Sequence, residues 1–247
     1  MRAPNDDIAP PPFPKEMGWA NVATLRMEQQ ARRPVLVDFV DVMRPQSVRV
    51  LPYVQAWHER YEAAGLRVVS VHTPGFPPSR DEALVRAEVE RLGIEHAVAL
   101  DLHGELWTAY ATRGWPSRYL FRPGLRLFEF HHGEGGYAGT ERAIQELLGV
   151  EEELVAPVRP EDADDALLVV PTPEQPGAYA GPYVAGEVWA VLSGTGELLV
   201  DGEALPVDRP GAWLLRRHEV STEGVLDLRP GPGVEVHATV FSPGLAS

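Results

Sequence analysis

Two short apolar runs, PVLVDFV (34–40) and LRVVSVH (66–72), bracket a segment of helical period, and this arrangement most restricts the fold. Continuous β-branched runs of this length suit strands buried on both faces. Between them Val50, Tyr53, Val54, Trp57 and Tyr61 recur at helical spacing, with Ser47 placed to cap the start and Gly65 to stop the helix. RDEALVRAEVERLG (80–93) predicts a second helix, HAVAL (96–100) a short strand and GELWTAYAT (104–112) a further short helix. SRYLF and RLFEFHH flank the turn RPG and read as a hairpin, and GTERAIQELLG (139–149) closes the unit as a helix. Strands alternating with helices, then a hairpin and a final helix, imply a mixed α/β sheet.

The pattern changes after residue 150. An acidic, Pro-punctuated stretch, VEEELVAPVRPEDADD, has the composition of a linker. Beyond it lie the β runs ALLVV, EVWAVL, ELLVDG, WLLRR, VLDLRP and VEVHATVF, separated by turn signals, with no helical period. The expected organisation is an N-terminal tail (1–29), an α/β domain (30–150), a linker (151–165) and an all-β jelly-roll or sandwich domain (166–247). SGTG (193–196) contains Gly-x-Gly but joins strand to strand, so it reads as a hairpin turn and not a dinucleotide fingerprint.

A net charge of -14 argues against nucleic acid or an anionic membrane surface as partner. The chain has no cysteine, which excludes disulfides, thiolate nucleophiles and thiolate metal ligands. The first residues carry no apolar signal region, and no run approaches the roughly 20 residues of a membrane helix. A cytoplasmic location without membrane insertion is therefore expected, with no cofactor, no metal and no particular oligomeric state specified by the sequence.

Asp38, Arg44, Ser47 and Pro52 stand at the spacing at which thioredoxins carry a buried Asp, two redox cysteines and a helix proline. YATRGWPSRYLFRPG (110–124) resembles the segment bearing that family's cis-proline, with Pro116 in its place. VSVHTPGF, LGIEHAVALD, ELWTAYATRGWPSRYLF and HHGEGGY are similar to the soluble part of the DipZ family, which has a TlpA-like thioredoxin domain followed by a carbohydrate-binding-module-like jelly-roll. The resemblance implies a thiol-disulfide oxidoreductase lineage. Its chemistry, attack of a thiolate on a disulfide, has no nucleophile at Arg44 or Ser47.

Ser47 reads as a helix cap, the alternative being a nucleophile for which no Ser-His-Asp neighbourhood is visible. Arg44 reads as a solvated surface residue or as an anion contact beside a helix start. Asp38 reads as an inherited buried acid satisfied by hydrogen bonds, with a salt bridge to Arg44 as the alternative. A cis Trp115-Pro116 bond would leave the Trp115 backbone at the rim of a peptide groove, or serve fold geometry alone. The expected binding groove comprises Trp115, Pro116 and Asp38. His131 and His132, adjacent on a strand, point to opposite faces and do not suit one metal, even with His72 near. Trp189, Trp213, Tyr179 and Tyr183 are candidates for stacking on sugars, although Trp189 and Trp213 lie in apolar runs typical of core. His218 and His237 stand alone and do not make a cupin metal site. The leading expectation is a redox-inactive protein that recognises a protein or peptide partner. An oxidoreductase-family protein acting with a partner's cysteines, or a carbohydrate-binding protein, are the rivals.

Overall fold

The computed structural model describes residues 1–4 and 7–247, so positions 5 and 6 of the expected tail lie outside the described residues. Six strands form the first sheet: β1 (Gly18–Ala20), β2 (Val35–Val40), β3 (Arg67–His72), β4 (Ala97–Leu100), β5 (Ser117–Arg122) and β6 (Arg126–His132), ordered β1-β4-β3-β2-β5-β6. β2, β3 and β4 are parallel, while β1 and the β5–β6 hairpin are antiparallel. The helices are α1 (Pro45–Tyr61), α2 (Glu82–Arg91), α3 (Glu105–Ala109) and α4 (Tyr137–Leu148).

Alternation along β2 sorts its side chains between two cores. Val35, Val37 and Phe39 pack with Val69, Tyr119, Phe121 and Leu106 on the α3 side. Leu36 packs with Val50, Val54 and Trp57 of α1 and Ile144 of α4 on the other. The mixed sheet is as expected, and helices cover both of its faces.

The tail belongs to the domain. β1 pairs with β4 as an edge strand. Phe13 and Trp19 are buried and meet edge to face at 5.2 Å. The Ala3 amide donates to the Phe128 carbonyl and the Leu127 amide donates to the Ile8 carbonyl, which covers the β6 edge. Three residues of strand are too few to show a β period, so composition alone made this stretch look like a tail.

The linker is likewise a packed strap. The Val158 amide donates to the Tyr53 hydroxyl (2.7 Å), which donates to Asp162 (2.8 Å), and the Val155 amide donates to Glu141 (2.8 Å). Arg159 pairs with Asp162 and donates to the Arg49 carbonyl.

The second half contains β7 (Leu168–Val169), β8 (Gln175–Pro176), β9 (Ala180–Gly194), β10 (Gly196–Val200), β11 (Glu203–Val207), β12 (Gly211–Pro230), β13 (Val234–Ser242) and β14 (Gly244–Leu245). Every pairing is antiparallel, in the order β11-β10-β12-β9-β13-β8, with β14-β7 as a separate ribbon. WLLRR and VLDLRP prove to be two arms of one strand, β12, offset by irregularities between Leu214 and Arg216 and between Arg217 and Thr222. SGTG is the β9–β10 turn. Gly194 has φ 82°, and a Cβ there would lie 1.9 Å from the Gly233 carbonyl oxygen, so only glycine fits.

The β domain docks on the first turns of α1 and the loop after β3. Phe76 and Val48 pack into a cluster with Trp189, Val191, Ala212, Ala238 and Val240. Arg49, almost fully buried, lies beside this cluster and binds three carboxylates: Glu134 (2.6 Å), Glu161 (3.2 Å) and Glu187. Glu187 also accepts from Arg217 (2.8 Å) and from the Trp189 indole (3.0 Å). Burial alone would discharge the Arg49 guanidinium; the surrounding carboxylates reverse that and hold it charged. No helix among the described residues is long and apolar enough to cross a membrane.

Candidate functional site

The residues singled out by spacing meet where β2, β3 and β5 end. Arg44 is the residue before α1, in extended conformation, and Pro45 follows as the first helical residue. This is the position proline tolerates best, because the missing amide has no helical partner there. The Arg44 guanidinium is not a solvated surface group. It lies 4.5 Å from the Phe76 ring centroid and 5.1 Å from that of Trp115, and its Nη1 donates to Glu174 at 2.7 Å. The aromatic rings attract the cation, and Glu174 pairs with it.

Ser47 is not the cap. It is the third residue of α1, fully buried, and its Oγ accepts from the Asp41 amide at 3.1 Å. Sequence reasoning overlooked Asp41, whose fully buried carboxylate organises the loops around the site. One oxygen accepts from the Met43 amide (2.9 Å), and the other from the Gly75 amide (2.7 Å) and the Ser79 hydroxyl (3.0 Å). His72 completes this frame. Its Nδ1 accepts from the Val42 amide (3.3 Å), so Nε2 carries the proton and donates to the Ser79 carbonyl (2.9 Å). Burial pushes its pKa down and keeps it neutral.

The Trp115-Pro116 bond is cis, as the resemblance implies. The Trp115 indole donates to the Thr73 carbonyl (3.0 Å), and its ring lies against Trp107 at 4.2 Å. Asp101 fixes that second ring. It accepts from the Leu106 and Trp107 amides at the start of α3 and from the Thr73 hydroxyl. Trp115 and Arg44 thus form one surface over the buried Phe76 ring, with Glu174 across it.

Asp38 lies beneath this surface and not in a groove. β2 and β5 place it cross-strand from Arg118, and both residues are buried on the α1 side of the sheet. Neither carboxylate oxygen has a hydrogen-bond partner among the described residues. Burial raises the Asp38 pKa from 3.8 to about 7, while the Arg118 charge pulls the other way. The expected hydrogen bonds are therefore missing, and so is the alternative salt bridge, because Arg44 turns outward to Glu174. Arg118 donates to the Gly135 carbonyl and lies over the Trp57 and Tyr137 rings.

The remaining candidates separate. His131 contacts the Glu134 carbonyl and His132 the Ser117 hydroxyl, and no group of three potential ligands that could hold a metal occurs among the described residues. His218 is stacked on Tyr183 and His237 contacts Ser193. Tyr183 is buried in the β-domain core and Trp189 at the contact with Phe76, and the half-buried Trp213 ring packs against Arg209 at 4.4 Å. The half-buried Tyr179 donates its hydroxyl to the Pro182 carbonyl.

No family model matches the chain. Over 134 residues, 53% of this chain, it is 31% identical to the protein DipZ of Mycobacterium tuberculosis, and the match covers 19% of that protein's length. The chain thus spans only about a fifth of this relative. It is 22% identical over 138 residues to the thiol-disulfide oxidoreductase YkuV of Bacillus subtilis, covering 56% of this chain and 93% of that one. A putative thiol:disulfide interchange protein DsbE from Chlorobium tepidum superposes with a TM-score of 0.52 at 18% identity, covering 59% of this chain and 99% of that one. The N-terminal region has a thioredoxin-like α/β fold, without a cysteine, and a domain of antiparallel β-sheets follows it.

Proposed function

We propose that this thioredoxin-like chain is a redox-inactive binding protein that recognises an extended acidic segment of a protein or peptide partner at the surface made by Arg44 and Trp115 over the buried Phe76 ring. One observation carries the reading. Where thiol-disulfide enzymes of this fold carry their first thiol, a guanidinium lies over two aromatic rings with its charge on a carboxylate. That carboxylate, Glu174, belongs to the Pro-punctuated stretch PTPEQP (171–176) of the same chain. The chain's own segment thereby indicates the ligand chemistry that the surface accepts: extended backbone with a glutamate or aspartate directed at Arg44. A partner competes with that segment, so binding is weak until Glu174 is displaced.

The test uses the full chain carrying Glu174→Ala against a displayed random peptide library. Selected peptides are expected to be enriched in acidic residues and to lose binding when Arg44→Ala or Trp115→Ala is added. Peptides whose binding is indifferent to both substitutions would overturn the reading. In parallel, the wild-type chain is expected not to accelerate insulin reduction by dithiothreitol, since the step needs a thiolate. Turnover above the reagent alone would overturn the redox-inactive reading.

A further inference from the structure

The aromatic wall on the α3 side of the sheet encloses a second feature, separate from the Arg44 surface. A cavity of about 510 Å³ lies between the end of α3, the β5–β6 hairpin and the strap of residues 8–11. That volume lies within the range of small-molecule sites. Its walls are mainly apolar: Tyr110, Tyr119, Phe130 and Leu127 from the domain, with Ile8 and Pro10 from the strap. The strap is held by the bond between the Leu127 amide and the Ile8 carbonyl (2.8 Å), so the cavity has one fixed wall and one closing segment.

Polar groups are few, and they point to one ligand charge. Arg113 and His132 both line the cavity. Arg113 is exposed and makes no ion pair among the described residues, unlike Arg44, Arg49 and Arg118 with their acidic or aromatic partners. Its side chain lines the cavity together with His132 and Tyr119. Burial, with the Arg113 charge, lowers the His132 pKa and disfavours a second cation there. The Tyr110 ring adds to the apolar wall, while its hydroxyl is buried away from the opening. Among the described residues no carboxylate lines the cavity.

We propose that this cavity binds a small amphipathic carboxylate, an apolar chain or ring ending in one carboxylate, with Arg113 as the counter-ion and the aromatic wall holding the apolar body. The proposal does not rest on the peptide-binding reading, because it uses none of the same side chains.

Isothermal titration of the full chain with octanoate and with 1-octanol tests it. Octanoate is expected to bind at one saturable site, and Arg113→Gln to weaken it by about tenfold or more while leaving octanol unchanged. Ala109 lines the opening at an exposed helix position, so Ala109→Trp is expected to fold normally and to abolish binding of both probes. Three results would overturn the proposal: no saturable octanoate binding up to about 5 mM, binding that survives Ala109→Trp, or octanoate affinity unchanged by Arg113→Gln.

Discussion

Replacing Asp38 with Asn removes a carboxyl from a site that offers it no hydrogen bond, and the effect on stability can be worked out as a function of pH. In the folded chain Asp38 keeps its proton up to about pH 7, whereas an unfolded Asp loses it near 3.8. Between those values the folded state binds more protons than the unfolded one. Stability therefore falls as pH rises, by up to about 1.4 kcal/mol per pH unit. Across the whole window the loss is about 4 kcal/mol, and it stops once the folded carboxyl ionises. His72 and His96 act in the opposite direction. Burial lowers both pKa values, that of His96 to about 3, so protonation of the unfolded chain below its ordinary histidine pKa destabilises the fold. The wild-type profile alone mixes these effects, but the difference between Asp38→Asn and wild type isolates the carboxyl. Urea unfolding at 25 °C from pH 4 to 8 is expected to show the variant gaining on wild type steadily to about pH 7 and then levelling. A difference that stays flat across that range would refute the argument that Asp38 is buried without an adequate partner.

Two further substitutions probe the docking of the halves and the identity of the site. Arg49→Met removes the buried cation that the half-buried Glu134 and Glu161 and the buried Glu187 share and is expected to cost about 3–5 kcal/mol, lowering the melting temperature by roughly 6–20 °C for a chain of this size; adding Glu134→Gln should restore part of the loss. A calorimetric shift within a degree or two would mean that the three carboxylates do not depend on Arg49. The double substitution Arg44→Cys with Ser47→Cys places thiols at the residue before α1 and at its third position, where Cα separations of roughly 4.4–6.8 Å permit a disulfide. Thiol titration should show reversible pairing, with glutathione exchanging faster than insulin is reduced, because the β domain packs against Val48 and Phe76 beside the new pair. A folded double variant whose thiols never pair would show that the positions do not correspond to a dithiol site.

Apart from β1, the first-half elements were readable because each carries its own local pattern. The runs at 34–40 and 66–72 became β2 and β3, and the spacing from Val50 to Tyr61 became α1. Pro116 was readable from its local motif. The ion pairs were not. Arg49 sits on a helix, as many solvated arginines do, and its partners Glu161 and Glu187 lie 112 and 138 residues away. Arg118 occupies an alternating strand whose inward face no pattern distinguishes, because SRYLFR is buried nearly throughout. Ser47 misled because a serine near a helix start is usually the cap, whereas here Pro45 begins the helix two residues earlier. Asp41 gave no signal beyond being an acid after a strand. Its role comes from loop amides that approach only when the chain has folded.

Arg49 also bears on how freely the β domain can be transplanted. One guanidinium on α1 is shared by the β6–α4 loop, the strap and β9, and the apolar contact beside it is built from both halves. A chimera that moved residues 166–247 onto another thioredoxin-like scaffold would carry Glu187 and the Trp189 face with it. The new host would have to supply an arginine, a phenylalanine and a valine at the equivalents of Arg49, Phe76 and Val48, together with an acidic strap. The seam between the halves is thus a matched set of residues, and a recombination junction drawn anywhere in 151–165 would separate its members.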